Sequence, residues 1–262
     1  MSLSSDDTIS IGEQRIAKVH KLLKGLETGD PNSIEDVIHP DRYIQHNPQT
    51  DTDKGGLKEL FARISKTNPH VNFVRSFSDG DFVFLHTEYD FATRRIGFEV
   101  FHFEELHTDE HWDNIMPRKP DGDKNPSGRS MVDGATEVRD LDKTEVHREL
   151  AKTFFTAVAS GNDSKKVEQL CNENLLQHNP HLADGRQIWL DHLLNGNAKY
   201  KALHRVLAQG NFCLCVSEGH LGDEHTAFYD LVRFEEGKIV EHWDTVEHVA
   251  PRETWKNENG KF

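Results

Sequence analysis

The sequence predicts an α+β protein of two tandem domains, each with three helices packed on a curved antiparallel sheet. Two observations carry that prediction. The chain is written twice: Gln45-His46-Asn47-Pro48 returns 132 residues later as Gln177-His178-Asn179-Pro180, and His111-Trp112-Asp113 returns 131 residues later as His242-Trp243-Asp244. Near-constant offsets over two separated motifs mark a duplicated unit, so fold and site need explaining once per half. Within each half, apolar residues recur first at helical and then at strand spacing, the order of an α+β layer domain. The 262 residues divide into units of ordinary domain size, 1–134 with its tail and linker, and 135–262.

Each half opens with an amphipathic helix. Ile16, Val19, Leu23 and Leu26 form the apolar stripe of the first, stopped by Gly29; Val146, Leu150, Phe154 and Val158 form that of the second, stopped by Gly161. Asp142 followed by Glu145 has the spacing of a capping box at the second start. Short helices are expected at Ser33–Ile38 and Ser164–Cys171, and again around Gly56–Ile64 and Arg186–Leu194. The two QHNP motifs fall between them and read as loops, because proline disfavours helix at the residue before it. Strand periodicity then covers Val71–Phe77, Phe82–Tyr89, Ile96–Phe103 and Glu110–Met116, and in the second half Tyr200–Ala208, Phe212–Ser217, His225–Phe234 and Lys238–Val246. Asp79-Gly80-Asp81, Gln209-Gly210-Asn211 and Glu235-Glu236-Gly237-Lys238 are hairpin turns. Pro117–Gly134 reads as an extended tail plus linker. Its Asn125 and Gly128 match Asn257 and Gly260, so part of it belongs to the repeat, and the boundary falls near Val132–Leu141.

Composition narrows the class. Hydrophobic residues make up 35 % and charged residues 29 %, which suits small hydrated domains better than one large core. A formal net charge of −14 argues against nucleic acid or anionic membrane as partner. No apolar run reaches the length of a membrane span, and Met1–Ser10 is polar and acidic, unlike a signal peptide. Cys171, Cys213 and Cys215 all lie in the second half and read as buried thiols. The expectation is a reduced, cytoplasmic protein.

Three helices before a four-stranded sheet, with YIQHNP at Tyr43–Pro48 and YDLVRFEEGKIVEHWD at Tyr229–Asp244, resemble the SnoaL-like polyketide cyclase family. That family lies within the nuclear-transport-factor-two-like superfamily of cone-shaped α+β domains. The resemblance covers nearly all of each half and ends on the tail NENGKF, Asn257–Phe262. It implies cofactor-free acid–base chemistry, an aldol-type cyclisation or an isomerisation, on a small apolar carbonyl compound. It also implies a strand carboxylate as the acid–base group, which falls on Asp230. Single domains of this family commonly dimerise through the outer face of the sheet, so the two halves are expected to pair as an intramolecular pseudo-dimer, with further homodimerisation left open. Trp112, Trp243, Cys213 and Leu231 are the candidates to line that contact.

Alternation supports the carboxylate independently. Asp230 shares a strand face with Val232 and Phe234 while Arg233 points away; in the first half Glu99 shares a face with Phe101 and Phe103 while His102 points away. A carboxylate on an apolar face is costly when ionised, so its pKa rises towards that of a working general base. The alternative is a buried carboxylate held for structural reasons. His242 and His111, with Asp244 and Asp113 two residues on, share a polar face opposite the tryptophans and complete a candidate pocket floor. His178 and His46 are assigned to steer or stabilise an enolate oxygen, against the alternative of loop braces. Asn47, Asn179, Glu88, Glu218 and Tyr43 are the candidate substrate contacts. His107 and His111 are four apart, but on a strand; neither an HExxH pattern nor paired-cysteine spacing occurs, so no metal and no cofactor are expected. The rival reading is a non-catalytic small-ligand-binding or protein-interaction module on the same fold.

Overall fold

A computed structural model describes residues 9–119, 124–161 and 163–262. The amino-terminal reading of Met1–Ser10 therefore falls largely outside the described residues, as does part of the predicted tail, residues 120–123. In the first half, helices α1 (Ile11–Thr28), α2 (Asn32–Glu35) and α3 (Lys54–Ile64) accompany strands β1 (Ile44–Gln45), β2 (His70–Asp79), β3 (Phe82–Asp90), β4 (Arg94–Glu104) and β5 (His107–Pro117). The second half repeats them as α4 (Thr144–Ser160), α5 (Ser164–Leu170), β6 (Cys171–Gln177), α6 (Arg186–Asn195), β7 (Ala198–Gln209), β8 (Phe212–Leu221), β9 (Glu224–Glu235) and β10 (Lys238–His248). The first sheet runs β1-β5-β4-β3-β2 and the second β6-β10-β9-β8-β7. This helical layer on a mixed sheet, present twice, is the tandem α+β arrangement that the sequence predicts.

Three expectations change. Each sheet has a fifth strand, parallel to its neighbour, where the sequence reads a loop: β1 pairs with β5 and β6 with β10. Only the last residues of each motif, from the histidine on, leave the strand. The second helices are shorter than expected, since α2 ends at Glu35 and Cys171 begins β6. The predicted capping box at Asp142 is not formed, because Leu141–Lys143 is a 3-10 turn and α4 starts after Lys143 without a side-chain cap. A complete capping box sits instead at Ser10 and Glu13, at the start of α1. Gly29 and Gly161 do end their helices, with φ of +70° and +64°, a conformation that costs glycine little.

Each sheet has two buried faces. On the inner face of the first, Val71, Val83, Leu85, Phe101 and Phe103 pack against Val19, Leu22, Leu23 and Leu26 of α1. On the outer faces, Phe84, Phe98 and Trp112 of one sheet form a single apolar cluster with Leu214, Tyr229, Leu231 and Trp243 of the other. The guanidinium carbon of Arg205 lies 3.8 Å from the Trp112 ring centroid, and that of Arg75 lies 4.3 Å from Trp243, so each half covers the other's tryptophan with a cation. Cys213 is a correction: it packs on the inner face with Val232 and Phe234, because β8 turns it away from Leu214. All three cysteines are free and buried. No helix among the described residues is long and apolar enough to cross a membrane.

The carboxyl-side tails are exchanged. Asn125 of the first donates to Gln177 O, Trp243 donates to Asp133 O, and Ser130 O is bonded by His178 in the second half. Reciprocally, Asn257 donates to Asn47 O and Thr50 O, and Gly260 O is bonded by His46 of the first half. Each tail thus closes over the QHNP turn of the other half.

Candidate functional site

The unexpected parallel strands build the site. Their register sets Gln45 beside His111 and Gln177 beside His242. The antiparallel register sets Glu99 opposite Asp113 and Asp230 opposite Asp244. Four polar side chains thus converge on one patch of an otherwise apolar inner face, in each half.

In the first half, His111 Nε2 lies 2.8 Å from Glu99 Oε2, and the Tyr89 hydroxyl donates to Glu99 Oε1 at 2.7 Å. His111 Nδ1 lies 3.1 Å from Gln45 Oε1, which also accepts the backbone N–H of Asn47 at 2.9 Å. That backbone donor fixes which end of the Gln45 amide is oxygen. His111 Nδ1 must therefore carry a proton, and a single further proton is shared on the line between Nε2 and Glu99. Asn47 Nδ2 donates to Asp113 Oδ2 at 2.7 Å, and Lys261 from the exchanged tail reaches Asp113 Oδ1 at 3.4 Å. Gln45 Nε2 donates to the Tyr43 hydroxyl at 3.3 Å.

The second half repeats the wiring. His242 Nε2 is 2.9 Å from Asp230 Oδ1, His242 Nδ1 is 2.9 Å from Gln177 Oε1, and Asn179 Nδ2 donates to Asp244 Oδ2 at 2.7 Å. The hydroxyl on the carboxylate comes from Tyr200, at 3.1 Å. Tyr89 lies on β3 opposite Val71, whereas Tyr200 lies on β7 opposite Gly219; the aromatic ring has changed strands and kept its contact. Burial pushes Asp230 up to about 8 against the lowering effect of the Tyr200 bond, and pushes His242 down to about 4. Between those values the pair is neutral, with a protonated Asp230 donating to the imidazole. Asp244, also buried, rises to about 6.

Access separates the halves. A cavity of about 180 Å³ opens on the first network, lined by Tyr43, Asn47, Glu99, His111 and Asp113 and walled by Leu22, Leu23 and Leu57. At the positions of those leucines the second half carries Phe154, Phe155 and Trp189. The Trp189 ring centroid lies 4.3 Å from that of His242 and 5.0 Å from that of Phe154, so aromatic rings fill the space over the imidazole.

The sequence-derived candidates therefore separate. Glu99, His111, Asn47 and Tyr43 meet at the first cavity, and Asp230, His242 and Asn179 meet beneath the aromatic plug. His46 and His178 lie elsewhere: each stacks on its tryptophan, at 4.5 and 4.7 Å, and bonds Glu110 or Glu241 on the outer side of the sheet. They brace the exchanged tails. Glu88 is held by Arg94 and Arg118, and Glu218 by His204 and His225, away from either network. Gln45, Gln177, Tyr89, Tyr200 and Lys261 belong to the networks but were not among the candidates. The duplicated glutamine was a usable signal, since it recurs with the histidine beside it; the tyrosines moved between strands and gave none.

Donor atoms of Glu99, His111 and Asp113, and of Asp230, His242 and Asp244, lie within 4.8 Å of one another. The fit to a cation is poor, because both nitrogens of each imidazole are engaged and the Lys261 ammonium already stands at Asp113. We do not read these groups as metal ligands.

No protein-family model and no curated protein matches the sequence. Solved structures similar to it include a Kribbella flavida protein provisionally described as a ketosteroid isomerase, 19 % identical, covering 42 % of this chain and 83 % of its own, TM-score 0.38. An NTF2-like protein of unknown function from Cytophaga hutchinsonii is 18 % identical over 44 % of this chain and 95 % of its own, TM-score 0.35. An LEH-like epoxide hydrolase of M. tuberculosis is 18 % identical over 40 % and 85 %, TM-score 0.34. Each spans about one half of this chain.

Proposed function

We propose that the first half is a cofactor-free acid–base enzyme acting on a small, largely apolar carbonyl compound, by isomerisation or aldol-type closure. The observation that carries the reading is Glu99, a carboxylate bordering an apolar cavity and wired to an imidazole of fixed tautomer. Glu99 takes a proton from the carbon next to the carbonyl; the C–H electron pair becomes the enolate, and the proton returns to carbon from the carboxyl group. Tyr43 accepts from Gln45 and keeps its own O–H to donate to the enolate oxygen; burial raises its pKa, so it stays a neutral donor. Asn47 and Asp113 form the rest of the polar floor. Cavity size sets the substrate class, since about 150 Å³ of apolar space suffices for benzene. The fit is to a single ring or short chain, not to a multi-ring polyketide.

The second half serves as the structural partner in this reading, with Asp230 a buried carboxyl and not the base. The same proposal takes the halves as an intramolecular pseudo-dimer in a reduced, cytoplasmic protein. A non-catalytic binder on the same fold is the competing reading, favoured by the observation that both Glu99 oxygens are already bonded. Hydrogen–deuterium exchange next to the carbonyl of cyclohexanone and cyclohexenone, followed by NMR in D₂O, separates the two. We expect catalysed exchange that falls about 10²–10⁴-fold in Glu99→Gln and persists in Asp230→Asn. Binding of these ketones without exchange would leave a binder, and loss of exchange in Asp230→Asn alone would move the chemistry to the second half.

A further inference from the structure

The exchanged tails deliver their cations to different places. Residues 256–261 of the second half follow the first half's motif turn closely: Lys256 N donates to Pro48 O at 2.8 Å, Asn257 donates to Asn47 O and Thr50 O, and Asn259 donates to Gln45 O at 3.0 Å. That docking carries the Lys261 ammonium inward, where the residue is only 2 % exposed and bonds Glu247 at 2.9 Å and Asp113 at 3.4 Å. The residue at the matching place in the other tail is Arg129, which bonds Asp184 instead, and Asp244 Oδ1 is left buried without a partner.

We propose that Lys261, delivered by the tail of the second half, is a positioning residue of the first half's cavity, holding Asp113 as a charged, oriented member of its polar floor. The inference rests on the functional reading above. Asp113 has two oxygens to satisfy away from water: Asn47 takes one and Lys261 the other. Other groups facing it are Glu99, Tyr43 and Tyr89 from the cavity side, His111 on its own strand, and Glu247 and Tyr229 from the second half. The Lys261 ammonium brings a full positive charge into contact with Asp113 and Glu247, so it is the group that holds these neighbouring carboxylates together. Asp244 shows the consequence of omitting it, since burial there raises the carboxyl to about 6. The first cavity is therefore incomplete without the second half, an account of why the plugged copy is retained.

The test uses the full chain with ¹³C-labelled aspartate carboxyls and, in parallel, the pH profile of cyclohexanone exchange. In Lys261→Met the Asp113 carboxyl titration and the exchange profile are expected to move upward together by about 1–3 pH units, with kcat falling and KM little changed. Lys261→Arg keeps the charge and is expected to restore the wild-type midpoint. Lys261→Gln gives the same comparison should the Met variant fail to fold, as judged from amide spectra. An Asp113 midpoint unmoved in the neutral variants overturns the proposal, as does an equal displacement in Lys261→Arg. A wild-type protein with no exchange, but with the carboxyl midpoint displaced in Lys261→Met, overturns the catalytic reading and leaves the Lys261 contact supported.

Discussion

The two halves hold the same hydrogen-bond circuit at different costs. In the first, Gln45 Nε2 finds Tyr43 and the second oxygen of Asp113 finds Lys261. In the second, Leu175 replaces Tyr43 and Arg129 turns to Asp184, so Gln177 Nε2 and Asp244 Oδ1 are buried without partners. Each orphaned group costs about 1–3 kcal/mol. Yet the second half fills its interior with Phe154, Phe155 and Trp189, all essentially inaccessible, where the first leaves a hollow. One copy spends packing on a cavity and satisfies its polar floor; the other fills that space with aromatic rings and tolerates two orphaned atoms within the circuit. That is the division expected when function requires the hollow in one place only.

The largest test converts one half into the other. Leu57→Trp introduces the ring that covers His242, so the first cavity is expected to close, with ketone binding and exchange both abolished while the fold and Glu99 stay in place. Titration calorimetry with cyclohexenone reads the outcome; unchanged affinity would mean the cavity is not the binding site. The reverse change, Trp189→Ala, removes a fully buried indole and should destabilise the second half by about 3–5 kcal/mol, measured by urea unfolding. If that variant is no less stable than the parent, the aromatic plug is not what holds the second core.

How much of this was legible beforehand follows from where each signal lay. Period-two alternation placed Asp230, Glu99 and the His–x–Asp face correctly, because pleating dictates sides residue by residue. The tandem offset located both copies of the circuit. β1 was missed because it has two residues, too few to show any period, and a proline three residues on from Gln45 favoured the loop reading; β6 was missed because its sequence, CNENLLQ, is largely polar and does not alternate. His46 and His178 were misassigned for the same reason: without those strands, nothing says that Gln45 and His46 point to opposite faces. Cys213 was misplaced through a choice of face within β8, a run apolar on both sides where alternation carries no information. The exchanged tails were invisible, since matching residues at a repeat offset reveal equivalence but not which half they cover.

The smallest expected effect concerns the buried pair of the second half and has an unusual sign. Asp230 binds its proton up to about 8 when folded, against a reference value of 3.8, so across that interval the folded state carries the extra proton and stability falls as pH rises. His242, lowered to about 4 from 6.5, acts oppositely between those two values, because there the unfolded state binds more protons. The two slopes offset each other up to pH 6.5. Asp244, raised to about 6, adds its own decline below that pH. Above 6.5 Asp230 is the one of these three groups that still titrates, and at about 1.4 kcal/mol per pH unit its contribution should fall by about 2 kcal/mol by pH 8. Asp230→Asn removes this dependence and preserves both bonds, since the amide nitrogen can donate to neutral His242 and the amide oxygen can accept from Tyr200. The variant is therefore expected to match or exceed the parent at pH 6.5, and its advantage should grow by about 2 kcal/mol by pH 8. Urea unfolding at the two pH values measures the gap, and parallel curves for variant and parent would show that the Asp230–His242 pair holds no extra proton in the folded protein over this range.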